Sequence, residues 1–176
     1  MRIASVAAVA VAVVAVGVGP RLLPGPERVD TSIASATRAK GAEPRLQIFR
    51  QTAAGARARE SEQLQITYVA VGTAYGVILS IDGRGVVTLH YPEQSDEVQS
   101  GRLAQGGSVP LAYSYELDDA PAFERFFFAT SAAPFPVTEV VAAANELAGS
   151  RNARERELSL PAGVDQTSML IAKEAR

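Results

Sequence analysis

The chain has no cysteine. Disulfides, thiolate nucleophiles and cysteine-based zinc sites are therefore excluded, and the redox compartment cannot be read from thiol usage. A single histidine, His90, leaves little scope for a histidine-built metal site or a catalytic triad. Neither sign of charge dominates: 17 basic and 19 acidic residues give a net charge of −2. A nucleic-acid binder needs a basic face, so nucleic acid is not an expected partner. At 176 residues there is room for one core-bearing domain and something besides.

That additional part lies at the N-terminus. From Ile3 to Gly19 the chain reads IASVAAVAVAVVAVGVG, without a charge. As a helix the run is roughly 25 Å long, slightly short of the ~30 Å hydrocarbon core of a bilayer. Leu22 and Leu23 extend the apolar span and Arg21 is placed to snorkel. Three readings compete: a transmembrane anchor over residues 1–23, a signal peptide cleaved near Ala15-Val16-Gly17, or a buried strand or helix. The anchor is the favoured one. Arg2 precedes the run while Arg21 and Arg28 follow it, a distribution that by itself favours the opposite orientation to export. Residues 24–44 have several prolines and small residues but no apolar period, so a linker, extended and mobile, is expected.

From Arg45 the pattern is that of strands. RLQIFRQ and LQITYVA alternate, and YGVILSIDGRGVVTLHYP sets two β-rich runs around Asp82-Gly83-Arg84-Gly85, a hairpin signal. A two- or four-residue turn places Tyr75, Val77, Leu79, Ile81, Val86, Thr88 and His90 on one face, and Ile78, Ser80, Val87, Leu89 and Tyr91 on the other. Both faces are largely apolar, so the hairpin should be central and covered twice. Glu93–Gly107 is a polar loop. SVPLAYSYEL reads as an edge strand because of Pro110, and Asp118–Pro121 as a turn. In FERFFFAT, Phe126 and Phe128 point one way and Phe127 the other, which again requires two covers. After Pro134-Phe135-Pro136, the spacing of Val137, Val140, Val141, Ala144, Leu147 and Ala148 predicts a helix with Thr138 as N-cap, Glu139 in its first turn and Gly149 at its end. QTSMLIAKEA is a last strand with Met169 and Ile171 on one face. The expected fold is α+β: a mainly antiparallel sheet or sandwich of about seven strands over residues 45–174, with one packed helix and an N-terminal transmembrane helix.

The segments AKGAEPRLQIFRQ, YGVILSIDGRGVVTLHYPE, YELDDAPAFERFFFATSAAPFPVTEVVAAANELA and QTSMLIAKE together resemble a bacterial extracytoplasmic domain of unknown function. In that family the domain commonly follows a transmembrane helix, which often follows a cytoplasmic zinc-finger module of the anti-sigma type, notably in myxobacteria-like proteins. The resemblance covers most of residues 39–174. It implies a single-pass protein of the cytoplasmic membrane with its domain outside the cytoplasm, or a secreted or periplasmic domain if the leader is cleaved. The zinc finger needs paired cysteines, and none is present, so sigma-factor binding does not carry over. The family brings no catalytic residues.

The residues with chemistry offer few options. His90 at a strand end has no second ligand near it in sequence and reads as a hydrogen-bonded structural histidine. Asp118 and Asp119 in ELDDAP are able to work as an acid/base pair or bind Ca²⁺, but Asp residues in a turn more often hold local backbone N–H groups. Gly83 and Gly85 precede a strand, not the helix that a phosphate loop requires. Arg154–Glu157 is a solvated mixed-charge run. Tyr91, Tyr113 and Tyr115 are the candidate binding surface, against plain packing. No catalytic residue, metal ligand or cofactor is assigned. The expected role is a binding or sensory module facing an unknown protein or cell-envelope ligand, with the resemblance implying an anti-sigma-like signalling system. The alternatives are an exported hydrolase using Asp118/Asp119 and a structural envelope protein.

Overall fold

A strand apolar on both parities stays dry only between two layers, and two such strands organise this domain. The computed structural model describes residues 43–50, 58–93 and 98–174. The proposed anchor, all of the proposed linker but residues 43 and 44, and most of the turn after Gln51 lie outside the described residues. Nine strands and one helix follow in the order β1 (Arg45–Arg50), β2 (Gln63–Val69), β3 (Tyr75–Asp82), β4 (Val87–Tyr91), β5 (Gly101–Arg102), β6 (Val109–Pro110), β7 (Tyr115–Glu116), β8 (Phe123–Ser131), α1 (Val137–Ala148) and β9 (Asp165–Ala172). The expected strand across Ser108–Leu117 is split into β6 and β7, and β5 lies in the expected polar loop; the other strands fall where the pattern places them.

All pairing between these named strands is antiparallel. One sheet runs β1-β2-β6, with β7 also on β2; the other runs β4-β3-β8-β9, with β5 on β3 beyond the end of β4. Leu46, Ile48, Leu64, Ile66 and Tyr68 of the first sheet meet Ile78, Phe126 and Phe128 of the second. The opposite face of the second sheet, with Val77, Leu79, Ile81 and Phe127, packs against Val140, Ala144 and Leu147 of α1. The architecture is three-layered, sheet on sheet on helix, and β3 and β8 occupy the middle layer. Phe126, Phe127 and Phe128 are each 0% exposed.

Two local expectations are corrected. The helix begins at Val137 with Pro136 in the cap position and no side-chain cap, in place of a Thr138 cap. The Val137 N–H donates instead to the Val98 carbonyl at 3.0 Å, across a backbone bridge between Gln99 and Pro136, so the first turn has a backbone partner. The hairpin turn has three residues, Gly83-Arg84-Gly85, not two or four. Asp82 and Val86 pair through the backbone at 3.1 Å, the Asp82 carboxylate accepts the N–H groups of Arg84 and Val86 at 2.8 and 2.7 Å, and Gly85 takes a φ of +84°. An odd turn shifts the register by one residue. Leu79 pairs with Leu89 and Ile81 with Val87, so Val87 and Leu89 join the helix-facing side, and Thr88 and His90 turn to the side of Ser80. The expected β4 faces are thereby exchanged, except at Tyr91. Between Leu89 and Tyr91 the strand bulges, since Leu79 opposes Leu89 while Ile78 opposes Tyr91, and this returns Tyr91 to the face expected for it.

Candidate functional site

The β4 bulge sends two successive side chains, His90 and Tyr91, towards the inter-sheet layer. At this corner residues 111–113, in the link from β6 to β7, lie beside His90 and Tyr91 of β4. The Tyr113 hydroxyl donates to the His90 carbonyl, and the Tyr91 hydroxyl to the Arg102 carbonyl at 2.6 Å. Tyr91 rests on Gly101, where a Cβ would come 2.4 Å from its ring, and stands 6.0 Å from Tyr68 between centroids. The result is a groove of about 200 Å³ lined by Tyr68, Tyr91, Tyr113, Leu111 and Pro110, with Glu93 at its rim. Burial, followed by the nearby Glu93 charge, pushes the Tyr113 hydroxyl above its usual pKa.

Of the three candidate tyrosines, the fold brings Tyr91 and Tyr113 to this groove and places Tyr115 behind it. Tyr115 meets His90 edge-on at 4.7 Å and donates to Glu124 Oε1 at 3.2 Å. His90 is 1% exposed, with Nε2 2.9 Å from Ser80 Oγ and its ring 5.5 Å from that of Phe126. Burial lowers its pKa to about 4, so the imidazole is neutral at physiological pH. The structural reading of His90 fits this position.

Behind the groove runs a polar seam that sequence reasoning passed over. Glu124 is fully buried, and burial raises its pKa despite Lys173 and Tyr115. Its Oε2 stands 3.7 Å from Lys173 Nζ, an ion pair without a hydrogen bond. Lys173, itself 4% exposed, donates to Asp118 Oδ1 at 2.7 Å. Arg125, on the helix-facing side of β8, donates to the carbonyls of Ala153 and Arg156 and to Ser168 Oγ, with its guanidinium 4.6 Å above the Phe127 ring. It thereby ties the segment after α1 to the sheet. The available signal was Glu124-Arg125 within a strand that must be covered on both faces, because charges in such a place require internal partners.

Asp118 and Asp119 line a second, open cleft of about 290 Å³, together with Arg59, Glu60, Lys173 and Glu174. Partial burial pushes the Asp118 carboxyl up, but the hydrogen bonds from Lys173 and the Ala120 N–H outweigh it and hold the group below its usual range. The Arg84 hydrogen bond, at 2.6 Å, does the same for Asp119. Both carboxylates are therefore ionised and paired with cations. A general acid needs a pKa displaced upwards, and neither has one. Among the described residues no group of three or more His, Cys, Asp or Glu is placed to hold a metal ion, and no helix is long and apolar enough to cross a membrane. Comparison of the chain with protein-family models, with curated proteins and with solved structures gives no match in any of the three.

Proposed function

We propose that the chain is a membrane-anchored, non-catalytic binding or sensory module, with residues 45–174 outside the cytoplasm and the tyrosine groove between β4 and β6 as its recognition site. The observation that carries this reading is how differently the chemistry-bearing groups are used. His90, Glu124 and Lys173 are buried in internal contacts, and Asp118 and Asp119 are neutralised by cations. The groove instead offers aromatic rings and a carboxylate at a concave corner. A place in an anti-sigma-like signalling system follows from the family resemblance alone.

Two experiments test the reading. Ala112 is exposed at the groove wall, and Ala112→Phe should fill the groove without disturbing the core. A low-molecular-weight cell-envelope extract, fractionated and screened by thermal unfolding, should contain a species that raises the Tm of the wild type and not that of Ala112→Phe. Saturation near one hundred times Kd adds about 2.7 kcal/mol, an easily read shift. Failure of every fraction, or equal stabilisation of both proteins, would sink the groove assignment. For the anchor, a C-terminally tagged full chain expressed in a bacterium should fractionate with membranes and lose its tag when spheroplasts are treated with protease. The motivation is the uncharged run Ile3–Gly19. A protected tag, or a soluble cytoplasmic protein, overturns that half of the proposal.

A further inference from the structure

We propose that the groove takes a small organic cation of the alkylammonium class, held against the Tyr91 and Tyr113 rings with its charge facing Glu93. The inference rests on the groove being the recognition site and adds the chemistry of the occupant. Three properties favour this ligand. Aromatic faces carry the negative part of the ring quadrupole and attract cations. Among the described residues, Glu93 is the one groove-lining side chain charged at neutral pH, and no Lys or Arg lines the groove. His90, the titratable nitrogen base among the described lining residues, is buried and neutral, so it does not repel a positive ligand. The influence of the Glu93 charge on the Tyr113 hydroxyl places that charge and that ring in one electrostatic environment.

Size and backbone chemistry narrow the class further. A cavity of about 200 Å³ lies below the roughly 300–1,000 Å³ of drug-sized sites, so it suits a compact headgroup. An added peptide strand is disfavoured, because Pro110 has no N–H to offer at the β6 edge and the His90 carbonyl already accepts from Tyr113. The Asp118/Asp119 cleft is a weaker candidate because its charges already pair with one another.

The chain lends itself to a direct test, since it has no tryptophan and five tyrosines, three of which line the groove. The full chain in a neutral, non-ionic detergent is titrated with choline and, separately, with 3,3-dimethylbutan-1-ol, its uncharged isostere, while tyrosine fluorescence is followed at constant ionic strength. Choline should give a saturable change and bind about fivefold tighter than the alcohol. The exposed Glu93→Gln variant should narrow that advantage, leaving the part due to the rings, and keep the affinity for the alcohol. Equal affinities, an unaffected Glu93→Gln, or no saturable choline response into the high-millimolar range overturns the cation assignment. A trimethyllysine peptide that binds where choline does not also overturns it, in favour of a protein partner. These failures differ from failure of the binding-module reading, which depends on Ala112→Phe: an uncharged ligand blocked by that variant sinks the cation and leaves the module standing.

Discussion

Replacing Phe127 with alanine should lower the unfolding free energy by about 3–5 kcal/mol, the range for truncating a fully packed aromatic. The ring is 0% exposed and lies between β3, where Leu79 is its cross-strand partner, and the Val140, Ala144 and Leu147 side of α1. Transfer of such a side chain from water accounts for about 1.5–3 kcal/mol, and the cavity left in a rigid sheet–helix interface adds the rest. The Arg125 guanidinium, 4.6 Å above the ring, would also lose its aromatic neighbour while still bound to the carbonyls of the segment after α1. Phe127→Ser should cost at least as much, because it also buries a hydroxyl. Urea unfolding of the full chain in non-ionic detergent reads both effects. Midpoints like that of the wild type in both variants would put the ring in solvent and make the three phenylalanines an exposed patch.

The layering around Phe127 was legible because it is a matter of parity and length. Three phenylalanines in succession require a cover on each side of the strand. The apolar spacing after Pro136 supplies a helix, and the Pro134-Phe135-Pro136 link is too short to let that helix leave the sheet. Met169 and Ile171 likewise fall on the inter-sheet side as their alternation implies. The faces of β4 were not legible, because they depend on a choice between turns that differ by one residue. Asp82-Gly83 is compatible with a two-residue turn, but the Asp82 carboxylate folds around the N–H groups of both Arg84 and Val86 and stabilises a three-residue loop. Helix capping departs from the expectation because the helix starts one residue earlier: Pro136 takes the cap position and the Val137 N–H donates to the Val98 carbonyl in the loop before β5, which leaves Thr138 inside the first turn.

The candidate site was legible only in part. Tyr91 and Tyr113 could be nominated from composition, but their convergence needs the β4 bulge and the course of the β6–β7 link, neither of which leaves a periodic trace. Tyr115, two residues from Tyr113, was grouped with it by sequence proximity. The short strand β7 turns it inward to His90 and Glu124. The polar seam joins residues distant in sequence, with Asp118 and Lys173 separated by 55 positions, so no local pattern announces it.

The seam and the lone histidine give the second large effect: acidification from pH 7 to pH 4 should cost the fold about 3 kcal/mol through His90. Its folded pKa is lowered by burial to about 4, from the 6.5 of a solvated histidine. Between those values the unfolded chain binds a proton that the native protein refuses, so stability falls as pH drops through 6.5 and the loss levels off below about 4. The gap between 6.5 and about 4, at about 1.36 kcal/mol per tenfold change in proton affinity, gives about 3 kcal/mol by pH 4, where the folded imidazole is half protonated. The groups facing the imidazole offer no compensating charge: Ser80 Oγ lies at 2.9 Å, Tyr115 and Phe126 present rings, and the backbone carbonyl of His90 is engaged by Tyr113. Glu124, bound to the same Tyr115, has its pKa raised by burial and works in the opposite direction, because protonation relieves its buried charge as pH falls. Asp118, held below 3.8, loses its contribution only beneath this window. His90→Gln separates the terms: its stability should show a much weaker decline between pH 7 and pH 4, while the Glu124 and Asp118 contributions remain. Because the chain has one histidine, a single imidazole resonance reports its ionisation without assignment. That resonance should stay in its neutral position at pH 6 and move only near pH 4. A midpoint near 6.5, or parallel stability profiles for wild type and His90→Gln, would mean that His90 is solvated and the inter-sheet layer is open at this corner.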